Sequence, residues 1–272
     1  MLKGVQALGL ASSTNLITVY YPPEHEAKAL RLRALVEQAM GFYDRSLGVR
    51  GELHLAVLPR PQWEKAITWQ PYGIPGVAGE PPVAFLPATD DGLAATDAMA
   101  IRASVSPETV RLIEAAGGSY DDASRRYVDL VGLHELGHTY ARRFGIRSPS
   151  RWAGEMLATY FAYAFLREHD PAQADVWDGI LRAYRDAVRP KYTTLADFDR
   201  LYFGVGARNY IWYQARFQQM VRAAYEAQGL DFLRAVRAAF PEGEGPVSPE
   251  ETLRRFVRIF PGFEEWAASM AQ

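Results

Sequence analysis

The chain has 272 residues, 49% of them hydrophobic and 23% charged, a balance that excludes a disordered chain and leaves room for one large domain or two lobes. Its 30 basic and 32 acidic side chains give a formal charge of −2, so no net field draws it toward nucleic acid or an anionic membrane. Cysteine is absent, which excludes disulfides, thiolate nucleophiles and cysteine-ligated zinc; any metal must be held by nitrogen and oxygen.

Met1 to Ala11 is too short and too weakly charged for a secretion signal. No apolar run approaches the roughly eighteen residues that a membrane span needs. The cytoplasm is therefore the default expectation unless a leader has been removed. Residues 15–21, "NLITVYY", and 52–58, "ELHLAVL", read as strands. Between them residues 24–48 have helical spacing, with Gly48 as the stop, which gives a βαβ-like start. After the Pro/Gly-rich passage 69–82, the short apolar segment "VAFLPA" (83–88) reads as a further strand, placed at a sheet edge by its flanking prolines.

From residue 107 onward the pattern is almost wholly helical. Helices are predicted near 107–116, 122–144, 149–168, 171–188, 206–227, 229–239 and 249–270, the last broken at Pro261. Strands followed by helices predict an α+β fold. It consists of a small mixed α/β N-terminal lobe, 1–106, and a mostly helical C-terminal lobe, 107–272, with an active-site cleft between the two lobes of one catalytic domain.

Within the predicted helix 122–144 stands "HELGH". Four residues advance a helix by about 400°, so His134 and His138 project from one side, a turn apart and within reach of a single ion. Glu135 sits about 100° away, at the edge of that face. Catalytic zinc takes three protein ligands and needs a general base beside its water. Glu135 is placed for the second role, and a third ligand is missing. Arg142, Arg143 and Gly145 read as a helix end, and Ser148-Pro149 as the start of the next. In the helical hairpin so formed, His138 lies about 10 Å before the turn and Glu155 about 9 Å after it. Glu155 thus returns level with the histidines. The competing reading is a buried helix pair in which Glu135 and Glu155 pair with arginines; it leaves three titratable groups buried at a cost and explains no shared register.

"HELGH" followed by "WAGEMLATYF" (152–161) resembles the gluzincin zinc peptidases, the class that includes thermolysin and the alanyl-type aminopeptidases. Trp152, Glu155, Ala158 and Tyr160 stand in the frame W-x-N-E-x-x-A-x-Y of the aminopeptidase branch. Gly154 replaces its asparagine, and the sixteen residues between His138 and Glu155 are slightly fewer than is usual there. The resemblance covers residues 125–225. It implies a thermolysin-like catalytic domain that binds one zinc ion through His134, His138 and Glu155 and hydrolyses a peptide or protein substrate with Glu135 as general base. It also implies a tyrosine that stabilises the oxyanion, in a Y-x-x-G-F-like context to which "NYIWYQARF" is similar at Tyr213, with Arg216 where glycine is expected and Tyr210 as second choice. Thr159, a turn after Glu155, reads either as a partner behind a ligand histidine or as an ordinary helix residue. The G-x-M-E-N segment of the aminopeptidases is missing, so Val83, Ala84 and Phe85 are expected to bind extended substrate backbone without selecting a free N-terminus. A zinc hydrolase of a non-peptide substrate and a catalytically idle zinc-binding module are the rival readings. Oligomeric state has no sequence signal.

Overall fold

Several helices begin where their own side chains dictate. The hydroxyls of Ser106, Thr194 and Ser248 accept from the amides of Thr109, Asp197 and Glu251, and Pro107 and Pro249 occupy first helical positions, satisfying donors that an isolated helix start leaves open. The structure, a computed structural model, describes residues 1–143, 150–241 and 243–270.

The chain forms strands β1 (Ala11–Thr14), β2 (Thr18–Tyr21), β3 (His54–Leu58), β4 (Gly76–Ala78) and β5 (Val83–Pro87). Around them stand helices α1 (Leu2–Gln6), α2 (Glu26–Leu47), α3 (Arg60–Ala66) and α4 (Leu93–Ala100). The helical region follows with α5 (Pro107–Gly117), α6 (Tyr120–Arg143), α7 (Arg151–His169), α8 (Pro171–Ala187), α9 (Leu195–Leu201), α10 (Ala207–Gln228), α11 (Asp231–Ala239), α12 (Pro249–Ile259) and α13 (Gly262–Met270). The fold is mixed α/β with a small sheet and a helical C-terminal region, as the order of elements predicts. No helix among the described residues is long and apolar enough to cross a membrane.

The sheet runs β1-β2-β3-β5-β4. The βαβ start is present: α2, ended by Gly48 with φ of 64°, connects the parallel neighbours β2 and β3. The expected strand 15–21 is shorter, because Asn15 to Ile17 make the turn of a β1–β2 hairpin. Glu37 pins that turn by accepting from the amides of Leu16 (2.9 Å) and Ile17 (3.1 Å).

The placement of β5 corrects the edge-strand expectation. Val83, Ala84 and Phe85 are fully buried, paired on one side with β3 in parallel and on the other with β4 in antiparallel register. They have no free edge to offer a substrate; that edge belongs to β4. The flanking prolines stand only at the ends of the ladder, where Pro82 contributes a carbonyl that accepts from the His54 amide. Leu55, Val57, Ala84 and Leu86 face the main core, whereas Ala56, Leu58, Val83 and Phe85 pack with Trp63, Ile67 and Tyr72 on the other face. A strand covered on both faces reads as one apolar run.

Among these elements α6 packs against β5 and α2 on one side and against α7 on the other. The residues expected to form the turn between α6 and α7, Gly145, Ser148 and Pro149, lie outside the described residues. The start of α7 is held from a distance: Asp199 on α9 accepts from the amides of Arg151 (2.6 Å) and Trp152 (3.0 Å) and from the Ser150 hydroxyl (2.9 Å). An anion at that position complements the helix dipole.

The two helices meet backbone to backbone. A Cβ added at Gly137 would lie 2.5 Å from the Ala158 carbonyl oxygen and 2.7 Å from its Cα, so only glycine permits this approach. Gly137→Ala is expected to force the pair apart and to destabilise the protein by about 1–3 kcal/mol, measured by urea unfolding; an unchanged midpoint would show that α6 and α7 do not need the contact.

Candidate metal centre

Because α6 and α7 approach so closely, side chains one turn apart on the first can reach a single side chain on the second. The rings of His134 and His138 stand perpendicular with centroids 4.7 Å apart. Glu155 Oε2 lies 3.2 Å from His134 Nε2 and 3.7 Å from His138 Nε2. The three ligand atoms all lie within 4.8 Å of one another. For zinc bonds of about 2.0–2.1 Å, a tetrahedron has edges of about 3.3 Å, so the carboxylate-to-imidazole spacings match two edges of such a site. The donor set is two nitrogens and one oxygen, all buried or nearly so, and it could hold a metal ion.

Two of the three candidate ligands are themselves held from behind. The Thr159 hydroxyl lies 3.2 Å from His134 Nδ1, the first of the two readings that the sequence leaves open for it and a place from which a group can orient a ligand imidazole. Glu155 Oε2 accepts from the Tyr210 hydroxyl (2.9 Å) and from Gln214 Nε2 (2.8 Å), and Oε1 accepts from the Tyr202 hydroxyl. Tyr202 reaches it from an unusual backbone: it has φ of 50° and ψ of −115°, a region that L side chains rarely enter. The Arg151 guanidinium lies over its ring, 5.0 Å from the centroid.

Tyr213, first choice for the oxyanion role, is not at this centre. Its ring packs on Phe198 and its hydroxyl donates to the Thr194 carbonyl oxygen at 2.8 Å. Helical phase explains the difference. Gln214 follows Tyr210 by about 400° and shares its face, whereas Tyr213 points about 60° aside. Tyr210, the second choice, carries the hydroxyl that reaches the centre. Tyr202 and Gln214 were not singled out. A glutamine one turn after Tyr210 in an aromatic stripe is the signal that could have marked Gln214. Nothing in "LYFGV" announces the left-handed backbone at Tyr202.

Electrostatics divide the two glutamates. Burial pushes Glu135 up to about 7; the His134 charge opposes this and the Glu155 charge adds to it. Burial acts on Glu155 in the same direction, but the two imidazoles and its hydrogen bonds overcome it and hold that carboxyl well below the ordinary range. Burial lowers His138 to about 4, which makes it a neutral imidazole with a free lone pair. For His134 burial also acts downward, yet the hydrogen bond with Glu155 and both glutamate charges raise it above its ordinary value. Tyr202 and Tyr210 are raised by burial and then by Glu155, so both stay protonated and act as donors. The arrangement combines a fixed anion, one neutral imidazole, a second imidazole hydrogen-bonded to that anion, and a carboxyl poised to exchange a proton near neutrality.

No protein-family model, no curated protein and no solved structure matches this chain.

The Glu135 shift has a sign that can be tested in the metal-free protein. Its carboxyl holds a proton to about 7 when folded, against 4.5 ordinarily, so the folded state binds more protons across that window. The stabilisation is complete below 4.5 and is lost as pH rises through 7. Glu135→Gln is therefore expected to gain stability relative to wild type as pH rises through that window, measured by denaturant unfolding in the presence of a chelator; a difference that stays constant across it would refute the shift.

Proposed function

We propose that this chain is a zinc-dependent peptidase of the gluzincin, thermolysin-like kind. The observation that carries the reading is the convergence of His134, His138 and Glu155 on one buried point with Glu135 beside them. Two imidazoles and one carboxylate form a ligand set characteristic of catalytic zinc, leaving a fourth position open. Zinc held there would supply Lewis acidity, acidifying a water and polarising the carbonyl to be attacked.

The remaining steps belong to the chain. Glu135, with its carboxyl near neutrality, takes the proton of the attacking water and delivers it to the departing amine, as a general base and then a general acid. Its burial is useful here, because an ordinary carboxylate is too weakly basic to hold the proton between the two transfers. The hydroxyls of Tyr210 and Tyr202 each direct their one proton to Glu155 and so hold the ligand carboxylate in place, which leaves the oxyanion to the charge of the ion that the site would hold. Substrate backbone is assigned to the free edge of β4, Gly76–Ala78, which packs near α6. Extended peptide added to a sheet edge gains backbone hydrogen bonds without requiring a free N-terminus.

The test compares wild type with Glu135→Gln on a mixed peptide library, with metal content measured on the same samples. Wild type is expected to cleave, and the variant to keep its zinc while cleaving about 10²–10⁴-fold more slowly. A wild type that holds zinc and cleaves no peptide would overturn the peptidase reading.

A further inference from the structure

Behind the ligands lies a chain of hydrogen bonds whose directions are determined. Glu155 Oε2 belongs to an ionised carboxylate, which only accepts, so the Gln214 atom facing it at 2.8 Å is the amide nitrogen. That fixes the amide, and Gln214 Oε1 must face the other way, where it lies 3.4 Å from Thr159 Oγ1. An amide oxygen also only accepts, so the single hydroxyl proton of Thr159 is directed to Gln214. Thr159 therefore presents lone pairs to His134 Nδ1, 3.2 Å away, and Nδ1 is the ring nitrogen that donates. With the Nδ1 proton held by Thr159, His134 Nε2, which hydrogen-bonds to Glu155 Oε2 at 3.2 Å when no cation is bound, is the nitrogen whose proton a cation displaces.

We infer that Gln214 is a positioning residue that presets two metal ligands at once: through Thr159 it selects Nε2 of His134 as the ligating nitrogen, and directly it aims Glu155 Oε2 at the same point. The inference rests on the metal-site reading above. Gln214 is buried on α10, one turn after Tyr210, so one helix brings two donors to a single carboxylate oxygen. A hydrocarbon side chain of the same size would fill the space but leave Thr159 free to turn its proton toward Nδ1. The ring would then be driven to the opposite tautomer, with a proton on the nitrogen that has to bind the ion. Groups that orient a ligand in this way typically alter metal affinity by about 10–100-fold.

The experiment measures zinc affinity by competition with a chromophoric chelator for wild type, Gln214→Met, Thr159→Val, the double variant and Thr159→Ser. The metal-free unfolding midpoint is recorded for each. Both single variants are expected to bind zinc about 10–100-fold more weakly. The double variant should lose no more than Gln214→Met alone, because both substitutions break one chain. Thr159→Ser, which keeps the hydroxyl, should bind as wild type does. If Gln214→Met fails to fold, the contrast between Thr159→Val and Thr159→Ser decides the relay. A wild type that binds zinc alongside a Gln214→Met of equal affinity, or a double variant whose loss is the product of the single losses, would overturn the inference and leave the metal site standing. A wild type that binds no zinc would overturn the site itself.

Discussion

The centre depends on a contact that involves none of its side chains. At Gly137 the backbone of α6 lies directly on Ala158 of α7, and this closeness lets Glu155 reach two imidazoles on the neighbouring helix. A longer interhelical distance, set by any side chain at 137, would leave the carboxylate short of them. The anchoring of α7 by Asp199, and of α6 against the sheet through Gly132 and Leu86, keeps both partners in place. The spacing of the His134, His138 and Glu155 donor atoms is thus a property of helix packing before it is a property of those side chains, and interiors packed at crystal-like density transmit such constraints well.

Once the helices are fixed, the electrostatics follow from who faces whom. Two glutamates share one buried space, and their chemistries differ because their neighbours differ. Glu155 meets two imidazole nitrogens and three donors, which hold it as an anion. Glu135 has burial acting on it with less compensation and becomes a carboxyl that changes state near neutrality. Environments that push paired carboxyls apart in this way suit them to different tasks, which the proposed peptidase reading takes as ligand and proton carrier. The strained backbone at Tyr202 fits the same pattern, since unfavourable conformations persist where surrounding structure over-determines them, often around a site.

Much of this was legible in the sequence, for identifiable reasons. The spacing of "HELGH" and the depth of Glu155 along a helical hairpin depend only on α-helix geometry, so the grouping of His134, His138 and Glu155 is legible without any other part of the fold, whereas Thr159 stays open between two readings until α6 and α7 are placed. The βαβ start was visible because α2 is long and Gly48 ends it. The elements that sequence reasoning missed are short: α1, α3, α4 and α9 have 5, 7, 8 and 7 residues, too few for periodicity to register. The edge assignment of β5 failed because prolines at a strand's ends do not prevent pairing along its middle, and three-residue β4 carries no strand signal. Local pattern favours Tyr213 over Tyr210, whereas the direction from which α10 approaches α7 brings the Tyr210 hydroxyl to Glu155 and leaves that of Tyr213 on Thr194. Tyr202 depends on a left-handed residue that no propensity anticipates.

The account stands on two imidazoles and one carboxylate surrounding a common cation. X-ray absorption at the zinc edge, on protein loaded with one equivalent of zinc, tests that most directly. The account predicts imidazole scattering from two histidines with nitrogen and oxygen neighbours at about 2.0–2.2 Å, lost in Glu155→Ala or replaced there by a shell with more solvent oxygen. A wild-type spectrum showing only an oxygen shell without imidazole scattering would contradict it.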